Sequence, residues 1–194
     1  LHPQKSKIIY CAPTERVVER LQSYGVPRDK IFLTGFPLPE SLSGKGMSRA
    51  KQNLALRLSR LDPARTYLEK YSDVVKRYLG NVPPITQFPS PVRLTFPVGG
   101  AGAQKELGAE ILEGIAPLLA GKEFELNLVA GIRKEVAVYW KACLEELGLK
   151  GDLGKSVRIF CSTTKEKAFE EFEDVLGETD VLWTKPSELS FYVG

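Results

Sequence analysis

The chain has 194 residues, 43% apolar and 26% charged, with a formal net charge of +3. That composition excludes a disordered, collagen-like or coiled-coil protein, and it provides no global basic field that would imply nucleic acid. Three cysteines, Cys11, Cys143 and Cys161, lie far apart and His2 is the single histidine. Zinc-ligand spacing is therefore absent and a disulfide scaffold is not expected; the thiols are expected to be free and buried in a reducing compartment. The longest apolar stretch, residues 115–120, contains Pro117 and is far too short to cross a bilayer. No signal peptide is visible. Leu1 is not an initiator methionine, so residues are expected to precede it.

The charge is unevenly spread. Residues 1–44 carry 6 basic and 4 acidic side chains, residues 45–80 carry 9 and 3, and residues 81–194 carry 12 and 17, which gives +2, +6 and −5. In the first segment, residues 7–11 (KIIYC) read as a strand. Thr14 reads as the N-cap of a helix with Val17, Val18 and Leu21 on one face, Gly25 as its C-cap, and residues 30–34 (KIFLT) as a second strand. Together they make one βαβ unit.

Residues 46–80 read as two helices broken at Asp62-Pro63, with Asp62 as N-cap and Pro63 at the first helical position. In the first, Leu54, Leu58 and Leu61 form a stripe ringed by Arg49, Lys51, Arg57 and Arg60. That basic face is either a solvated face packing on its own protein or a surface for anionic lipid or an acidic partner, the lipid contact being placed at residues 46–65. In the second helix Tyr67, Leu68, Tyr71, Val74, Val75, Tyr78 and Leu79 are expected in the core. The Pro-rich stretch from Pro83-Pro84 to Pro89 and Pro91 is a linker, with a boundary near residues 85–91.

From residue 92 onward strand and helix alternate: strand 92–98, helix 104–119, strand 125–130, helix 133–147, strand 157–161, helix 165–176 and strand 180–184. This order predicts an α/β fold with a parallel, doubly wound, Rossmann-like sheet. Right-handed crossovers put the turns after all four strands on one edge, where such folds bind ligands.

Two turns on that edge carry candidate chemistry. Gly99-Gly100-Ala101-Gly102-Ala103, followed by Gln104, joins a strand to a helix. Small side chains there let backbone N–H groups face an anion beside a helix N-terminus. The turn lacks the Gly-Lys-Ser/Thr of a Walker loop, and Lys105 replaces the last glycine of GxGxxG. Tight strand-to-helix packing is the alternative explanation. Thr184-Lys185-Pro186-Ser187-Glu188 follows the last strand and reads either as helix-capping chemistry or as hydroxyls, a cation and a carboxylate for phosphate and sugar. Asp29, Asp152 and Asp180 are accounted for by local turn chemistry. No Ser/His/Asp or Cys/His arrangement is present, and the catalytic base is left unassigned.

These pieces resemble GT-B fold glycosyltransferases. Tyr24-Gly25-Val26-Pro27 and then Lys30-Ile31-Phe32-Leu33-Thr34-Gly35-Phe36-Pro37 look like the end of the N-terminal domain in that family, where a strand ending Thr-Gly-x-Pro enters the interdomain linker. The strand with Gly99-Gly100-Ala101-Gly102-Ala103-Gln104 is similar to the first strand and glycine loop of the donor-binding domain. Phe169, Phe172, Val175, Leu176 and the run from Thr179 to Lys185 are similar to the stretch before the nucleotide-sugar loop. By pattern the nearest families are the peptidoglycan lipid-intermediate N-acetylglucosaminyltransferases and the monogalactosyldiacylglycerol synthases.

The resemblance implies transfer of a sugar from a nucleotide donor, often a UDP-sugar, to a lipid or other acceptor. It implies no protein-held metal and no cofactor, the nucleotide-sugar being a substrate. Donor contacts then fall to Gly99, Gly100, Ala101, Gly102, Gln104, Thr184, Lys185, Ser187 and Glu188, with Gly35 and Phe36 at the interdomain cleft. Residues 1–44 would be the end of the N-terminal Rossmann-like domain, 45–91 a basic helical insertion and linker, and 92–194 a donor domain incomplete at its C-terminus. Two such domains need about 350 residues, so the chain is expected to be part of a longer protein. Its expected location is cytoplasmic, with a peripheral membrane contact. Pro186 and Ser187 stand where the family carries glycines, which favours the alternative of a non-catalytic nucleotide- or anion-binding module; a UDP-sugar 2-epimerase, an enzyme class with the same architecture, is the other alternative.

Overall fold

The computed structural model describes residues 2–37, 47–82, 91–99, 102 and 104–184. The proline-rich linker, Gly100, Ala101, Ala103, Lys185, Pro186, Ser187 and Glu188 lie outside the described residues.

The first unit is β1 (Tyr10–Ala12), α1 (Glu15–Ser23) and β2 (Ile31–Leu33), the two strands pairing in parallel with Tyr10 opposite Ile31. Thr14 caps α1 by accepting from the Val17 amide, and the chain leaves the helix through paired bonds from Gly25 N to Gln22 O and Val26 N to Leu21 O. Ala12, Val18, Val26 and Ile31 form a small core. The first strand is shorter than expected. Ile8 and Ile9 precede the pairing and are exposed, because β2 offers its first partner at Ile31.

The basic segment is three helices: α2 (Met47–Leu61), α3 (Thr66–Lys70) and α4 (Ser72–Leu79). The break at Asp62-Pro63 is real, but the next helix starts at Thr66, with Arg65 in the left-handed region at φ 57° as its N-cap. Asp62 serves that helix from a turn outside it, Oδ2 accepting from Leu68 N at 2.9 Å and Oδ1 from the Thr66 hydroxyl at 3.1 Å. Its partial desolvation pushes the carboxyl pKa up. The amides of Leu68, Tyr67 and Thr66 and the Thr66 hydroxyl outweigh this and hold it below its ordinary value. A depressed folded pKa makes the contribution complete above the unfolded value of about 3.9, with loss as pH falls through the folded value. The stability gap between wild type and Asp62→Asn, measured by urea unfolding, is expected to be constant above about pH 5 and to shrink below about pH 4. A gap unchanged down to acid would refute this role.

Within α3 and α4, Leu68 and Val75 are buried as expected, whereas Tyr67, Tyr71, Val74 and Tyr78 are exposed. The sequence carries two adjacent apolar stripes, and packing on α2 consumes only one of them.

The main unit is a four-stranded parallel sheet of order β5-β4-β3-β6, built from β3 (Val92–Pro97), β4 (Phe124–Gly131), β5 (Val157–Cys161) and β6 (Val181–Leu182). Helices α5 (Lys105–Ala120) and α6 (Lys134–Glu146) connect the first three strands, and α7 (Lys165–Glu178) connects β5 to β6. Thr164 caps α7 through the Lys167 amide. The chain steps outward from β3 to β4 to β5, then returns to the other side of β3. With right-handed crossovers that reversal puts α5 and α6 on one face and α7 on the other, which is the doubly wound, Rossmann-like arrangement expected.

The two faces differ in chemistry. Leu94, Phe96, Leu126, Leu128, Ala130 and Val157 meet Ile111, Leu112, Leu119, Val136, Trp140 and Leu144 in one apolar core. The alternate residues on the α7 side are polar. Arg158 Nε donates to Asn127 Oδ1 at 3.1 Å, Asn127 Nδ2 to the Thr95 hydroxyl at 3.2 Å, Thr95 to Thr179 at 2.6 Å, and Thr179 to Val175 O at 2.7 Å. Every buried hydroxyl and amide in that chain is thereby paired. Among the described residues, no helix is long and apolar enough to cross a membrane.

Candidate functional site

The return of β6 to β3 creates a topological switch point: the connection after β3 runs to one side and the chain entering β6 comes from the other. In open α/β sheets a crevice forms there, outside the strand C-termini. Leu94 pairs with Val181 and Thr95 with Leu182, and Trp183 N donates to Thr95 O at 2.9 Å. Thr184 thus stands two residues past Leu182, as Pro97 stands two past Thr95. The turn after β3 and the segment after β6 leave the sheet from neighbouring strands.

The glycine turn closes on itself through Gly102 N to Gly99 O at 2.7 Å. Gly102 has φ +71°, and Gln104 follows at φ 72°, a left-handed conformation that costs a side-chain-bearing residue about 1–2 kcal/mol. A Cβ at Gly102 would stand 3.5 Å from Val136 Cγ2 and 3.6 Å from Arg133 Cγ, so the backbone conformation rather than space requires glycine. Gln104 makes no side-chain capping bond to α5, unlike Thr14 and Thr164 on their helices. The first turn of α5 is instead fixed from beside it. Trp140 Nε1 donates to Lys105 O at 2.8 Å, and Lys105 Nζ lies 4.9 Å from the centroid of the Tyr139 ring. Desolvation, then Cys143, raise the Tyr139 phenol above its ordinary pKa.

The other flank is held by α2. Asp180, one residue before β6, has a fully buried side chain. Oδ1 accepts from Arg60 Nε at 2.9 Å and from Arg60 Nη2, and Oδ2 accepts from Arg93 N at 2.9 Å. Arg57 Nη2 donates to Leu176 O at 2.6 Å, in the last turn of α7. Burial lowers the Arg57 pKa, Asp180 opposes that, and Arg60 adds to it. Two cations of the basic stripe are therefore structural, and Asp180 is a buried ion-pair partner where turn chemistry was expected.

Of the expected donor residues, Gly99, Gly102, Gln104 and Thr184 are described, and strand pairing brings the two turns to one edge. Gly35 and Phe36 follow β2 in the other sheet, and no strand pairing joins them to that edge. Sequence reasoning missed Arg133, which follows β4 on the same edge and lies against Gly102; its guanidinium also reaches Glu135 at 4.0 Å. The signal was its place two residues after Gly131, at the end of a strand. Cys143 and Cys161 are half-buried but Cys11 is exposed, and all three are free thiols. Among the described residues, no group of three or more His, Cys, Asp or Glu could hold a metal ion.

No protein-family model matches the chain. No curated protein matches it. Among solved structures it is similar to the crystal structure of a glycosyltransferase from Rickettsia africae ESF-5, with TM-score 0.36 and 17% identity over 90% of this chain. The chain spans 37% of the length of that protein.

Proposed function

We propose that residues 92–184 are the nucleotide-sugar-binding part of a glycosyltransferase of GT-B type, with a UDP-sugar as donor. The observation that carries the reading is the switch point between β3 and β6, flanked by a left-handed glycine turn that opens α5 and by Thr184. Backbone N–H groups at an uncapped helix start attract an anion through the helix dipole, and Lys105 and Arg133 add positive charge on the same edge. The diphosphate is assigned to residues 99–104, and the sugar or ribose to the segment from Thr184 to Glu188. The sequence resemblance supports this assignment, with a lipid or other acceptor on the same ground.

UDP is expected to raise the unfolding temperature of the protein. At a hundredfold excess over Kd the gain is about 2.7 kcal/mol. Gly102→Ala is expected to lower the ligand-free stability by about 1 kcal/mol, because alanine resists the left-handed region, and to remove most of the UDP-dependent shift. Gly114→Ala, in the interior of α5 with nothing within 4 Å of its Cβ position, is the control. It is expected to gain about 0.5–1 kcal/mol and keep the full shift. No stabilisation by UDP or UDP-sugars at millimolar concentration would overturn the reading. Binding without any transfer or epimerised product would favour the non-catalytic module, which Pro186 and Ser187 support.

A further inference from the structure

Tyr67, Tyr71, Val74 and Tyr78 follow one another at spacings of four, three and four, so they fall on one stripe of the α3–α4 surface. They are 45%, 40%, 52% and 60% exposed, while Leu68 and Val75 on the neighbouring stripe are buried. The Tyr67 and Tyr71 rings pack at 4.8 Å between centroids, and Val74 and Tyr78 extend the exposed stripe as a ridge.

Cations line the ridge on the side away from the buried stripe. Lys70 Nζ stands 5.3 Å from the Tyr71 centroid and Arg77 Cζ 5.9 Å from that of Tyr78. Seven residues apart, the two share one edge, and the helical period turns Glu69 and Asp73 farther around, beyond the cations.

We propose that this ridge is a docking surface for an anionic lipid bilayer, with the tyrosine rings at headgroup depth and Lys70 and Arg77 on lipid phosphates. Tyrosine suits that depth because its ring is apolar and its hydroxyl is wet. Each cation near an anionic surface adds about 1 kcal/mol. Charge complementarity selects this partner: residues 65–80, which carry the ridge, have 4 basic and 2 acidic groups, against 12 and 17 in residues 81–194. It also relocates the lipid contact expected at residues 46–65. There Arg57 and Arg60 are turned inward onto Leu176 O and Asp180, and Arg49 and Lys51 remain exposed. The inference does not depend on the donor site, and the test contains no nucleotide.

The test is flotation of the full chain with vesicles of phosphatidylcholine alone and of phosphatidylcholine mixed with phosphatidylserine. Binding is expected with the anionic vesicles only, and it weakens as salt rises from 0.1 to 1 M and the Debye length falls from about 10 to about 3 Å. Lys70→Ala with Arg77→Ala is expected to lower the partition coefficient about 30-fold. Tyr67→Ser, Tyr71→Ser and Tyr78→Ser together are expected to lower it about tenfold or more, with circular dichroism unchanged because the positions are exposed. Equal binding to both vesicle types, binding insensitive to these variants, or no binding overturns the proposal. So does a dimer in sedimentation without vesicles that the tyrosine variant converts to monomer, since a second copy would then own the ridge.

Discussion

Asp180→Ala is expected to cost about 3–5 kcal/mol, because it removes one partner of a buried ion pair and leaves the others uncompensated. Its carboxylate is fully enclosed and is shared between the Arg60 guanidinium and the Arg93 amide, so alanine strands a half-buried cation and a backbone N–H together. The ion pairs of Arg93 and Arg158 with Glu125 and Glu178 lie in the same neighbourhood but are partly open to water. Solvent screening limits each to about 1 kcal/mol or less, so Glu178→Gln should barely register. Arg60→Met combined with Asp180→Leu is expected to cost much less than the sum of the single changes, since no unpaired charge then remains. Urea unfolding midpoints check these variants, with Arg60→Met and Asp180→Leu also measured singly to give the sum. An Asp180→Ala midpoint within error of wild type would refute the role assigned to α2.

The second large effect is at the α5–α6 contact. Trp140 is fully buried, and Trp140→Ala is expected to cost about 3–5 kcal/mol through lost burial and the cavity left behind. Gly108 faces it: a Cβ there would lie 2.5 Å from Trp140 Nε1, 2.8 Å from Cε2 and 2.9 Å from Cζ2. Two opposing effects meet at this position. Glycine to alanine within a helix gains about 1 kcal/mol of propensity. Forcing a methyl into a filled core costs about 1–3 kcal/mol, and here it also pushes the indole away from Lys105 O. Gly108→Ala is therefore expected to be net destabilising by up to about 2 kcal/mol. In the Trp140→Ala background the same change should become stabilising, because the obstacle is gone and only the propensity remains. A gain of stability from Gly108→Ala alone would show that the indole yields freely.

The parts of the fold legible in the sequence were those governed by local period and turn chemistry. The alternation from Val92 to Leu182 gave every strand and helix of the main sheet within a few residues, because buried parallel strands and amphipathic helices carry strong and different periods. Thr14 was readable as a cap for the same local reason. The misreadings have a common cause in tertiary pairing. Ile8 and Ile9 look like strand, but a strand needs a partner and β2 begins too late. The Tyr67 stripe looks like core, but hydrophobicity alone does not say which of two adjacent stripes finds a neighbour. Asp180 looked like a turn residue because Arg60 lies 120 positions away. For the candidate site, the glycine turn and Thr184 were visible as segments. Their adjacency came only from strand order, and Arg133 carried no motif of its own.

The polar chain from Arg158 through Asn127, Thr95 and Thr179 to Val175 O has a mechanical meaning. Apolar packing is non-directional and tolerates a slide, whereas hydrogen bonds fail within about an ångström of their optimum. The core beneath α5 and α6 acts as glue, and the face beneath α7 acts as a detent. Helix α7 has one seat along the sheet, and Asp180 follows its last residue by two, clamped in turn to Arg93. The height at which the chain climbs out past Leu182 is therefore indexed to Arg93, the second residue of β3, and through that strand to the turn that opens α5.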